Sequence, residues 1–186
     1  MYKIKNIIFI LCLLAGFSCA VDEQCRTNRS VFMGLGIYHV NKTDTSRTVI
    51  PMNIDSLTVI GLKQDTLTGK YVNMDTIYKN AKVISKINLP LHKFENISIY
   101  EISFNSKIIT NKNDTLKFTN KKDTLKILHE NKDKYLSLEC GSIKVHFIDT
   151  AFNTHNFVDS IRIINHKVTN ILKLNNTNAE HIQIYK

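Results

Sequence analysis

The sequence predicts an all-β fold: a single antiparallel β-sandwich, immunoglobulin-like or barrel-like, of about ten short strands. Three observations point there. Short apolar segments recur at a spacing of roughly eight to twelve residues, as in sandwiches and barrels. No stretch of the domain sustains the apolar period of a helix. Several segments alternate: Ile143, Val145 and Phe147 are interleaved with Lys144 and His146, as in a strand with one face buried and one wet.

Ahead of the domain stands an export signal. Lys3 and Lys5 precede an apolar run over residues 7–14, followed by the small residues Ala15, Gly16 and Ser18 and then by Cys19. A bilayer-spanning helix takes about 20 apolar residues, so this run is too short to be a permanent span. Residues 1–18 read as a signal peptide, and Cys19 stands where a bacterial lipoprotein is cleaved and acylated, typically with palmitate. Cleavage after Ala20 is the competing reading. Residues 19–30 read as a lipidated polar tether and residues 31–186 as the β domain. Asp22 and Glu23, just after Cys19, resemble the surface-export signal of Bacteroidota lipoproteins. The expected address is the outer membrane, lipid-anchored, on the periplasmic face or at the cell surface.

Of the four cysteines, Cys12 leaves with the signal and Cys19 takes lipid. Cys25 and Cys140 remain in an oxidising compartment, where a disulfide is expected. Such a bond would close a loop worth roughly 4 to 5 kcal/mol by the chain-entropy relation. Two unpaired buried thiols are the alternative.

The formal charge is +9, and removing residues 1–18 takes two lysines with it. The lysines are scattered, and the densest stretch, 112–134, interleaves Asp114, Asp123, Glu130 and Asp133. No nucleic-acid partner is expected. The charge reads as a solvated face, or a weak attraction to anionic envelope polymers.

Along the domain, residues 31–40 are apolar on both parities, with Val31, Met33, Leu35 and Ile37 against Phe32, Tyr38 and Val40. A central strand is expected there, with Gly34 and Gly36 marking a bulge or the close approach of another backbone. Residues 41–51 read as a polar connection. Residues 54–62 form a strand with Leu57 and Val59 on one face, and 63–65 turn the chain. Strands follow at 71–78, at 82–91 until Pro90 stops it, and at 97–104. Residues 115–118 and 124–128 bracket the polar 119–123 and read as a hairpin. Strands at 134–138, 143–148, 158–164 and 182–185 complete the set, with a short helix expected at 176–180.

An Asp-Ser/Thr pair followed by an apolar residue recurs, six times with a larger one and once with Ala151. The hydroxyls are those of Ser56, Thr66, Thr76, Thr115, Thr124, Thr150 and Ser160. The plain reading is that Asp closes a turn and the hydroxyl residue opens a strand. The functional reading is O-glycosylation, since the pattern resembles the acceptor of exported Bacteroidota proteins.

Nothing points to catalysis. The seven histidines show no metal-ligand spacing, and His146, Asp149 and His155 would need a bend in their strand to share a site. There is no nucleophile elbow, phosphate loop or calcium loop, so no enzyme activity, metal or cofactor is expected. Without tryptophan, a sugar platform would fall to tyrosines that strands mostly need.

The segments Leu138-Glu139-Cys140-Gly141, residues 159–165 and residues 180–185, with Leu89-Pro90-Leu91 and the early Cys25, resemble a family of small uncharacterised Bacteroidota lipoproteins. The resemblance implies a lipid-anchored β domain and supplies no catalytic residue. The expected function is a non-catalytic binding or structural module of the envelope, meeting another protein or a glycan. A fimbrial or adhesin-type subunit and a carbohydrate-binding surface lipoprotein are the alternatives, and an envelope hydrolase with dispersed acids ranks last.

Overall fold

A computed structural model describes residues 31–43, 46–52, 54–82, 84–109, 115–138, 141–169 and 179–186. It contains eleven strands: β1 (Phe32–Thr43), β2 (Ser46–Pro51), β3 (Ser56–Gln64), β4 (Tyr71–Ala81), β5 (Lys86–Pro90), β6 (Ile97–Ile109), β7 (Thr115–Ser137), β8 (Gly141–Asn153), β9 (Ser160–Ile163), β10 (Lys167–Val168) and β11 (Ile182–Tyr185). They form two packed sheets. Six strands lie in the order β10-β8-β7-β6-β3-β4, and five lie in the order β2-β1-β11-β9 with β5 also on β1. The expected sandwich is present. It is not closed into a barrel, because β4 and β10 are edge strands.

β1 organises the smaller sheet, and its apolar residues on both parities follow from its central place. One of its edges is shared end to end: residues 32–36 pair with β5 and residues 38–43 with β2. The other edge runs along β11, Leu35 opposite Ile182 and Tyr38 opposite Tyr185. That pair is parallel, a departure from the all-antiparallel expectation.

Gly34 marks the close approach of another backbone, as expected, whereas Gly36 lies against the side chains of Tyr38 and Glu180. A Cβ on Gly34 would collide with the carbonyl oxygen of Ala179, and one on Gly36 would lie 2.7 Å from the Tyr38 ring. Gly34 and His181 also exchange hydrogen bonds: His181 N–H donates to the Gly34 carbonyl, and Gly34 N–H donates to His181 Nδ1, at 2.8 and 2.9 Å. Gly34→Ala is expected to cost about 2 kcal/mol, because it must push a backbone aside. Gly61→Ala, whose new methyl would meet nothing closer than 3.6 Å, is the control. Equal urea midpoints for the two variants would refute the close-approach account.

The inner faces fill one core. Met33, Leu35, Leu89, Ile182 and Ile184 of the smaller sheet meet Leu57, Ile102, Phe104, Leu125, Ile127 and Ile148 of the larger, all fully buried. Phe157, on the connection between β8 and β9, packs against Phe104 with ring centroids 4.9 Å apart. That connection carries the chain from one sheet to the other, and Asp123 fastens it. The Asp123 carboxylate is 2 % exposed. It accepts the hydroxyl of Thr154 at 2.6 Å and the N–H groups of Asn156, Phe157 and Val158 at 2.9, 2.7 and 2.7 Å.

Several local expectations need correction. Residues 41–51 are not a loop: the end of β1 and β2 form an antiparallel ladder from Tyr38–Pro51 to Thr43–Ser46. Their polarity reflects a ribbon whose described side chains at Arg47–Ile50 are exposed. Nor do residues 115–128 form a hairpin. β7 is one strand of 23 residues, and within the polar 119–123 the residues Lys121, Lys122 and Asp123 stay paired with β6. What looked like a turn is a bulge: the ladder shifts between Phe104 and Ser106, and Asn120 takes φ of 50° while its N–H donates to Asn105 Oδ1 at 2.7 Å. Residues 134–137 continue the same strand. Of the helix expected at 176–180, only Ala179 and Glu180 are described, and they are in neither helix nor strand. The signal, the tether, Cys12, Cys19, Cys25 and Cys140 lie outside the described residues.

Candidate functional site

A cleft of about 530 Å³ is built from the end of β3, the turn after it, Met74 of β4, the connection from β5 to β6 and the start of β6. That volume lies within the range typical of ligand sites. Leu62, Met74, Pro90, Leu91, Phe94, Ile97 and Ile99 supply an apolar lining. Phe94 is 86 % exposed and Met74 half exposed, whereas Leu91 is buried. Water therefore reaches two large apolar side chains on the rim.

The wall carrying Phe94 exists because Pro90 ends β5 and the following residues tie back onto themselves. His92 Nδ1 accepts the N–H of Phe94 at 3.3 Å and of Glu95 at 2.9 Å. His92 N–H donates to Ser98 Oγ at 2.8 Å. Asn131 Nδ2 donates to the Glu95 carbonyl at 2.9 Å. Tyr100 OH reaches the Pro90 carbonyl, and burial pushes the phenol's pKa up. On the rim, Lys63 pairs with Glu95 at 3.3 Å.

Behind the wall runs a buried polar chain whose proton positions are fixed by counting donors. Asn131 Nδ2 serves the Glu95 carbonyl, so its Oδ1 accepts from His129 Nδ1 at 3.0 Å and from His146 Nδ1 at 2.6 Å. His129 Nε2 and Ser98 Oγ share a hydrogen bond at 2.9 Å. Both imidazoles therefore carry a proton on Nδ1. Burial pushes both pKa values down, His146 to about 4, with His129 and Lys93 adding to the shift. The two rings meet edge to face, centroids 5.2 Å apart.

The sequence did not reveal this chain. Its one trace is His129-x-Asn131, two polar residues on the same face of a strand. The grouping of His146, Asp149 and His155 does not form, because His146 turns inward to Asn131 while Asp149 and His155 are exposed. Among the described residues no cluster of three or more metal-ligating side chains is present. The tyrosines divide: Tyr71 and Tyr135 are exposed, whereas Tyr38 donates to Glu180 and the Tyr78 hydroxyl bonds the Asn88 backbone.

The Asp-Ser/Thr pairs also divide. Ser56, Thr115 and Ser160 open strands as expected. Thr76, Thr124 and Thr150 lie inside β4, β7 and β8, where the aspartate cannot be closing a turn. Thr66 follows β3 in a turn that Asp65 holds through Leu67 N–H and the Thr68 hydroxyl at 2.9 and 2.8 Å. Thr66, Thr76 and Ser160 are exposed, Ser56, Thr124 and Thr150 half-buried, and the side chain of Thr115 lies outside the described residues.

A family model described as a family of unknown function (DUF6452) matches residues 56–186, which takes in every strand from β3 to β11. No curated protein and no solved structure matches the chain.

Proposed function

We propose, for a chain that belongs to the DUF6452 family of unknown function, the role of a non-catalytic binding module of a bacterial envelope. In this reading the protein is an exported Bacteroidota lipoprotein, held to the outer membrane by acylated Cys19. The Cys25–Cys140 disulfide ties the tether to the domain. The observation that carries the binding role is the open, apolar-lined cleft with Phe94 on its rim. Burying so exposed a phenylalanine against a ligand would recover free energy that solvent now withholds.

Two experiments test it. Cys19→Ala should move the protein from the membrane fraction to the soluble fraction, and a variant that still sediments with membranes refutes the anchor. A photoreactive residue at position 94 should give a defined crosslinked species in intact cells, with far less from the same residue at exposed Tyr135. Equal capture at both positions removes the cleft as the binding site.

A second reading, a fimbrial-type subunit, draws on β4, an edge strand with Tyr71, Val72 and Met74 exposed. It requires concentration-dependent polymers. A purified protein that stays monomeric discards it.

A further inference from the structure

We infer that the cleft takes a single-chain amphipath with an anionic head group, its hydrocarbon along the apolar lining and its charge at Lys93. This rests on the binding-module reading and names the ligand class of the same site. The lining sets the apolar Leu62, Met74, Ile97 and Ile99 among polar groups from β3, the turn after it, the 90–95 wall and β6. Nearly all of those groups are already engaged. Lys63 and His92 face Glu95 at 3.3 and 4.0 Å, and Gln64 donates to the Gly69 carbonyl. Ser98 is held by His92 N–H and His129, and Tyr100 by the Pro90 carbonyl. Thr66 and Lys93 are the polar side chains of the lining that make no hydrogen bond or ion pair among the described residues, and only Lys93 is charged. The Lys93 side chain is exposed.

A ligand that satisfies this surface offers hydrocarbon to Leu62, Met74, Ile97 and Ile99, and one anion to Lys93. A sugar does not fit, because a hydroxyl-rich ring would find few uncommitted partners. A neutral hydrocarbon would leave Lys93 without a counter-charge. A carboxylate and a phosphate monoester serve the ammonium equally well, so the shared chemistry is an anionic head on one alkyl chain.

The test is displacement of 1-anilinonaphthalene-8-sulfonate from the full chain carrying Cys19→Ala, so that no lipid of its own competes. Palmitate or dodecyl phosphate should displace the probe, and whichever binds more tightly identifies the head. Hexadecanol should bind at least about tenfold more weakly than palmitate. Lys93→Ala should weaken the anions by about tenfold and leave hexadecanol unchanged. Met74→Glu, at a half-exposed position that should not disturb folding, should weaken every ligand. Unfolding midpoints close to that of the parent protein show that both variants are intact. Hexadecanol binding as tightly as palmitate, displacement by inorganic phosphate alone, or no displacement at all overturns the inference. If no amphipath binds while position 94 still crosslinks to an envelope protein, the binding module stands and this ligand class is wrong.

Discussion

Replacing Asp123 with alanine is expected to lower the unfolding free energy by about 3 to 5 kcal/mol, measured as a shifted urea midpoint at unchanged slope. The carboxylate is buried and accepts four hydrogen bonds, three of them from consecutive backbone N–H groups at Asn156, Phe157 and Val158. Alanine strands those donors where water cannot easily follow, since Phe157 and Val158 are each 3 % exposed. It also frees the segment that carries the chain between the sheets, loosening the packing of Phe157 on Phe104. Asp123→Asn keeps the shape and one oxygen but turns an amide NH₂ toward other donors, so about half the loss is expected. A change below about 1 kcal/mol for Asp123→Ala would show that water replaces the carboxylate and that the corner needs no anion.

Acidification is expected to produce the second large effect. Burial lowers the pKa values of His129, His146 and His181, with His146 at about 4. The unfolded chain binds protons near pH 6.5, where the folded chain does not. Stability should therefore be level above that pH and fall as pH drops from about 6.5 toward 4. His146 alone contributes about 3 kcal/mol over that window, and the other two act in the same direction. Protonated His146 would put a positive charge in a largely buried place, beside His129 and near Lys93. Glu180 carries the loss lower. Burial alone would raise its pKa, but hydrogen bonds from Gln183, Lys86 and Tyr38 overcome this and hold it below the usual carboxylate value. Urea midpoints at intervals between pH 7.5 and 4.5 check the window. His146→Gln, whose amide can still donate to Asn131, should flatten the slope. A flat profile in the parent protein would show that the histidines find acceptors when charged.

The layered β architecture was legible because alternation and spacing are properties of the strands themselves. β11 stands where Ile182, Ile184 and Tyr185 announced it, and β1, apolar on both parities, has partners on both edges. Polarity misled at 41–51, where β1 and β2 form a ladder, and again at 119–123. At 119–123 a lysine-rich run reads as a turn, yet this part of β7 lies beyond its ladder with β8, which begins at Leu125 opposite Asn153. Exposed on that edge, a strand tolerates polar residues and needs only one bulge at Asn120. Asp123 misled in the opposite sense: its usual place is a turn, and here a buried carboxylate serves a loop 31 to 35 residues away. The cleft was illegible for the same reason, because it is assembled from β3, β4, β6 and the wall before β6, and no local pattern records which segments meet.

The pairing of β1 with β11 sets the tempo of folding. Gly34 and His181, at the head of that ladder, are 147 residues apart. Joining them costs roughly 3 kcal/mol more chain entropy than closing a hairpin of about four residues. Until β11 docks, the inner edge of β1 presents open hydrogen-bonding groups to any passing strand. A fold closed by so distant a pair is expected to mature slowly, with the unpaired β1 edge open to other strands in the meantime.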